Sequence, residues 1–112
     1  MKKVASVVHR LSGDPSRTGY GYLIKAVEVV IERGRFPYRR VMNELYSEIA
    51  QAYNTDVTNV SRELARTVED IWDNGNHEYL EKIAGHQIDD KPSPSQLIAQ
   101  LVNFVMEDTV AV

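Results

Sequence analysis

The twenty residues from Ser47 to Arg66 constrain the fold more than any other part of the chain. Ile49, Ala50 and Tyr53 stand before a single interruption at Asn54-Thr55-Asp56, and Val57, Val60 and Leu64 resume helical apolar spacing after it. Two helices joined by so short a turn must cross steeply and need a small residue where they touch; Ala50 sits there. The turn needs a residue that tolerates positive φ. Glycine is commonest and asparagine the best substitute, and Asn54 falls four residues after Ala50. The second helix, with Asp56 as its expected N-cap, anchors Val60 and Leu64 inward. It presents Asp56, Thr58, Ser61, Arg62 and Ala65 outward. This spacing fits a helix-turn-helix; an ordinary helix pair with a solvated arginine face satisfies it too.

The rest of the chain predicts further helices and few strands. Val4, Val7, Val8 and Leu11 make one stripe of a helix from about Lys2 to Leu11. Ser12-Gly13-Asp14-Pro15-Ser16 is a turn. Tyr20, Leu23, Val27, Val30 and Ile31 line a second helix over about Thr18 to Glu32, capped by Gly34. A third helical stretch opens near Pro37 and breaks near Tyr46-Ser47, where Ser47 is a candidate cap. The helix after Asp56 runs to about Asn74, with Val57, Val60, Leu64, Val68, Ile71 and Trp72 inward and Gly75 ending it. A short helix over about Asn76 to Ala84 follows, then a loop from Gly85 to Ser95 containing Pro92 and Pro94. Ser93 or Ser95 caps a last helix to about Asp108. The expected fold class is therefore all-α: about six helices in one compact helix-turn-helix domain covering residues 1–112.

Charge separates along this chain. The formal net charge is −3, which taken whole argues against binding a polyanion. Residues 1–66 nevertheless carry 11 Lys and Arg against 7 Asp and Glu, a net of +4, while residues 67–112 carry 2 against 9, a net of −7. Such asymmetry points to a basic binding face with an acidic remainder. The absence of cysteine excludes disulfides and thiolate metal sites and suits a cytoplasmic location. No run approaches the ~20 apolar residues of a membrane helix. His9, His77 and His86 lack ligand-like spacing, and Asp89-Asp90 reads as a solvated turn. Neither a nucleophile elbow, a phosphate loop nor an HExxH motif is present. No enzyme activity, cofactor, metal or small-molecule substrate is expected.

On the helix-turn-helix geometry Arg62 points to the floor of the major groove, where arginine bonds guanine O6 and N7 together. Ser61 is placed to bond a base edge or a phosphate, and Arg66, one turn on, to reach a phosphate. Arg33, Arg35, Arg39 and Arg40 crowd a second patch around Gly34 to Tyr38. A phosphate backbone would relieve their mutual repulsion; so would pairing with Glu28, Glu32 and Glu44 in a solvated loop.

The chain resembles the C-terminal effector domain of the stage-zero sporulation protein A family of response regulators. The likeness rests on Gly19-Tyr20-Gly21-Tyr22-Leu23, Leu45-Tyr46-x-Glu48-Ile49-Ala50-x-x-Tyr53-Asn54-Thr55, Val60-x-Arg62, Trp72-x-x-Gly75-Asn76 and Lys91-Pro92-Ser93-x-Ser95-x-x-Ile98-Ala99. It implies a six-helix, DNA-binding domain involved in sporulation and transcription regulation. The helix at about residues 56–74 would enter the major groove at boxes resembling TGTCGAA, often in tandem. The family's base-reading arginine is kept as Arg62. Ser61 stands where the family has glutamate, Asn59 and Ala65 where it has arginines, and Arg66 where it has histidine. The candidate base-contacting residues are Asn59, Ser61, Arg62 and Ala65. The candidate phosphate-contacting residues are Thr58, Arg66, Arg35, Arg39, Arg40, Lys91 and Ser93. The expected partner is double-stranded DNA, bound by homodimers or in tandem. The thinned reading helix leaves an alternative: a protein-interaction module of the same fold that has lost DNA binding and modulates a related regulator.

Overall fold

A computed structural model of the chain describes residues 3–34 and 44–110, which form six helices and no strand. Helix α1 spans Val4–Leu11 and buries Val7, Val8 and Leu11. It starts two residues later than the spacing suggests, and Lys2 lies outside the described residues. Helix α2, Thr18–Arg33, is apolar on most of its circumference and runs through the core, with Tyr20, Leu23, Ala26, Val27 and Val30 buried. Gly34 ends it at φ 78°, the left-handed conformation that a helix C-terminus favours. The helical start near Pro37 lies outside the described residues.

Helix α3 spans Tyr46–Ala52, and α4 spans Val57–Asn74. Ser47 does not cap α3. The backbone is already helical at Leu45 (φ −70°, ψ −49°), so no free first turn remains for Ser47 to close. Helices α5, His77–Ala84, and α6, Pro94–Val110, complete the chain. Ser93, not Ser95, is the α6 cap. Its Oγ accepts the Gln96 N–H at 3.2 Å while Gln96 Oε1 accepts the Ser93 N–H at 2.9 Å, a reciprocal capping box. Pro94 is therefore the first helical residue rather than part of the loop; a first-turn proline gives up no helical hydrogen bond. Leu11, Leu23, Ile49, Leu64, Leu80, Leu97, Ile98 and Leu101 have essentially no exposed surface and join all six helices in one core.

The back of α4 is fixed to α2 with unusual closeness. Gly19 makes this possible: a Cβ there would overlap Thr67 Oγ1 and lie 2.5 Å from the Glu63 carbonyl oxygen. One residue on, Tyr20 crosses to the buried Asp70 carboxylate and donates its hydroxyl at 2.6 Å. Asp70 also accepts the Asp14 N–H at 2.8 Å and the Asn74 amide at 3.0 Å, with Arg17 Nε at 3.9 Å. Burial pushes the Asp70 carboxyl up, but these donors outweigh burial and hold it below the usual carboxylate range. The same burial, with the bond to Asp70, raises the Tyr20 phenol well above its ordinary value.

Gly75 ends α4 as expected, though not by a left-handed turn; its backbone is extended (φ −87°, ψ −169°). The glycine is needed for closeness, because a Cβ would overlap the Leu11 carbonyl and lie 2.6 Å from that of Ile71. Asn76 then donates its N–H to Leu11 O at 3.1 Å and caps α5 by accepting the Tyr79 N–H at 3.0 Å. Trp72, expected in the core, is only partly buried and meets the His77 ring edge-on at 5.0 Å.

Candidate nucleic-acid interface

The turn between α3 and α4 is built as the sequence suggests. Asn54 has φ 54°, alone among the described non-glycine residues in the left-handed region. The Thr55 N–H reaches back to Ala50 O at 2.9 Å and the Asn54 N–H to Gln51 O at 3.3 Å, closing α3 in a Schellman motif. Asp56 caps α4 by accepting the Asn59 N–H at 2.8 Å. Val60 and Leu64, both fully buried, turn the opposite face outward. On that face Thr58, Arg62, Ala65 and Arg66 are exposed, and Asn59 and Ser61 are partly so.

These side chains are connected. Arg62 Nη2 donates to Asn59 Oδ1 at 2.8 Å, and Asn59 Nδ2 donates to Tyr22 Oη at 3.1 Å. Arg66 Nη1 donates to Glu63 Oε2 at 3.1 Å, the carboxylate that also lies 3.9 Å from Arg62 Nε. Lys91, in the loop before α6, pairs with Glu69 of α4 at 3.4 Å. That pair, with buried Pro92, lays the loop along α4. The result is an open groove of about 470 Å³ lined by Arg62, Ala65 and Arg66 on one side and Lys91, Ser93 and Gln96 on the other. Five of the eleven candidate residues (Arg62, Ala65, Arg66, Lys91 and Ser93) thus share one surface with the outward α4 face. Thr58, Asn59 and Ser61 precede Arg62 on the same helix. Arg35, Arg39 and Arg40 lie outside the described residues.

A family model described as "Sporulation initiation factor Spo0A C terminal" matches residues 4–105. The chain belongs to this family. Spo0A C-terminal domains are DNA-binding sporulation transcription factor domains, and theirs is not a known enzyme family. The family's motifs acquire physical reasons in the fold. The Gly19 to Leu23 block brings α2 against α4, the Trp72 to Asn76 block bolts the end of α1 to the α4–α5 joint, and the Lys91 to Ser95 block seats the loop beside α4. No helix among the described residues is long and apolar enough to cross a membrane.

Three participants were not among the candidate site residues, although Tyr22 stands in the family block Gly19 to Leu23. Gln96 lines the groove, and its signal was available in the Ser93-x-x-Gln96 capping box. Glu63 gathers both arginines of the outward α4 face. Tyr22 lies under Asn59, 37 residues away in sequence, and left no local signal.

Proposed function

We propose that the chain is a sequence-specific, double-stranded-DNA-binding transcription regulator, a single helix-turn-helix domain that lays α4 in the major groove. Arg62 reads bases, with Ser61 and Ala65 beside it. Arg66, Thr58, Lys91 and Ser93 contact phosphates along the groove rims, joined by the arginines at 35, 39 and 40. The supporting observation is the convergence of Arg62 and Arg66 from α4 with Lys91 and Ser93 from the α6 loop on one open groove. Homodimeric or tandem occupancy of adjacent boxes follows if two copies bind neighbouring half-sites. No cofactor enters this function.

The test is fluorescence anisotropy on duplexes that the protein selects from a random pool. Affinity should fall as salt rises, because phosphate contacts release counterions. Arg62→Ala should cost about 1–3 kcal/mol on a selected duplex and little on a scrambled one. Equal affinity for all duplexes, unchanged by the substitution, overturns the proposal. A protein-interaction module of the same fold is the second reading. It is favoured by one observation: the acidic Glu63 and Glu69 already pair with the three described groove cations. Capture of a related regulator, with no duplex binding at low salt, would establish it instead.

A further inference from the structure

We infer that Asn59 is a positioning residue that holds Arg62 for base reading, braced from behind by Tyr22, rather than a base reader itself. The inference rests on the DNA-binding function proposed above. A guanidinium has donors only, so the oxygen of the Asn59 amide must face Arg62 and its NH2 must face the Tyr22 hydroxyl. The observed bonds follow that order, 2.8 Å to Arg62 and 3.1 Å to Tyr22. An asparagine that reads adenine needs both its oxygen and its nitrogen for the base edge. Both are engaged here with the protein.

The brace extends further back. Tyr22 is 4% exposed, so its ring cannot move aside. Tyr53, at the end of α3, meets that ring edge-on at 4.9 Å and donates its hydroxyl to Gly21 O at 3.3 Å. The turn of the helix-turn-helix, the Gly21-Tyr22 step of α2 and the first turn of α4 thereby meet under one guanidinium. Arg62 spends one Nη2 hydrogen on Asn59 and keeps other donors for a bidentate contact. A long side chain ordered before binding loses less freedom on binding, so the brace raises discrimination rather than general affinity. Glu63, 3.9 Å from Arg62 Nε, adds attraction but no close hydrogen bond.

The experiment uses a duplex selected by the wild-type chain and the same duplex altered at the base pair whose preference Arg62→Ala abolishes. Asn59→Ala should reduce discrimination between the two by about three- to tenfold, the equivalent of one hydrogen bond. Tyr22→Phe, which keeps the ring and hence the packing, should reduce it in the same direction. Adding Asn59→Ala to Arg62→Ala should cost nothing more. In the free protein, nitrogen-15 NMR should show slowed rotation of the Arg62 guanidinium, released by either substitution. Unchanged discrimination in Asn59→Ala and Tyr22→Phe overturns the inference while leaving the DNA-binding function intact. So do additive penalties with Arg62→Ala, or loss of preference at a different base pair. A wild-type chain without any sequence preference overturns the function, and this inference with it.

Discussion

Asp70→Ala is the substitution whose cost the structure fixes most tightly. Asp70 is 5% exposed and accepts three hydrogen bonds, from the Tyr20 hydroxyl, the Asp14 N–H and the Asn74 amide. Hydrogen bonds to a charged group contribute about 1.5–3 kcal/mol each. The Asp14 and Asn74 donors are exposed enough to find water, so their loss counts for little. The Tyr20 hydroxyl is not: Tyr20 is 1% exposed, and although its oxygen keeps the Gly13 N–H at 3.0 Å, leaving its proton without an acceptor costs about 1–3 kcal/mol beyond the lost bond. The sum is about 2.5–6 kcal/mol, or a fall in Tm of the order of 10–24 °C for a chain of this size. Urea unfolding followed by far-ultraviolet circular dichroism measures it directly. The same carboxylate sets an acid limb. Its folded pKa lies below the ordinary 3.8, so its contribution is complete above that value and is lost as pH falls through the lower folded one. Wild-type stability should therefore drop below about pH 4, and the Asp70→Ala variant should show a shallower drop. A loss under about 1 kcal/mol, or an unchanged acid limb, would refute this account of the network.

Two other substitutions probe the packing and the groove. Gly19→Ala ordinarily strengthens a helix by about 1 kcal/mol; here the new methyl group meets Thr67 and the Glu63 carbonyl, so the variant should lose about 1–3 kcal/mol in the same urea assay. A stabilised variant would mean that α2 and α4 can separate freely. Glu63→Gln releases Arg66 from its 3.1 Å partner and should tighten duplex binding up to about fivefold at low salt, adding about 0.9 to the salt slope for each phosphate gained. Unchanged or weaker binding would mean that Arg66 makes no phosphate contact.

What the sequence revealed was what short stretches of chain decide. Asn54 and Asp56 were legible because a positive φ and an N-cap are set by residues within three positions. Ser47 was misread because its role depended on the segment before it, which reaches Leu45 already helical. Gly75 was read correctly as a stop for an incomplete reason: the close neighbour is Leu11, 64 residues earlier, which no local pattern announces. The Tyr20–Asp70 bond spans 50 residues and was equally silent. In the candidate site, spacing reached Arg62 and Arg66 on one helix. Lys91 and Ser93 came from the family resemblance, because only the folded loop brings them to α4.

Net charge misleads for a related reason. The figure of −7 for residues 67–112 counts Asp70, yet that carboxylate is buried under three hydrogen bonds and a nearby guanidinium and projects little field. What faces a ligand at the groove is Arg62, Arg66 and Lys91 with Glu63 and Glu69 between them. Arg62, Arg66, Lys91 and Glu69 are each about half exposed, and pairs of that kind contribute at most about 1 kcal/mol. A phosphate can therefore displace them, and the acidic partners tune binding without forbidding it. On the proposed function, Arg66 and Lys91 are the described groove cations left for phosphates, beside the arginines at 35, 39 and 40, and these contacts supply affinity without sequence preference. On the same proposal discrimination falls on Arg62, the arginine that Asn59 and Tyr22 hold in place, and so on that brace rather than on the number of basic residues.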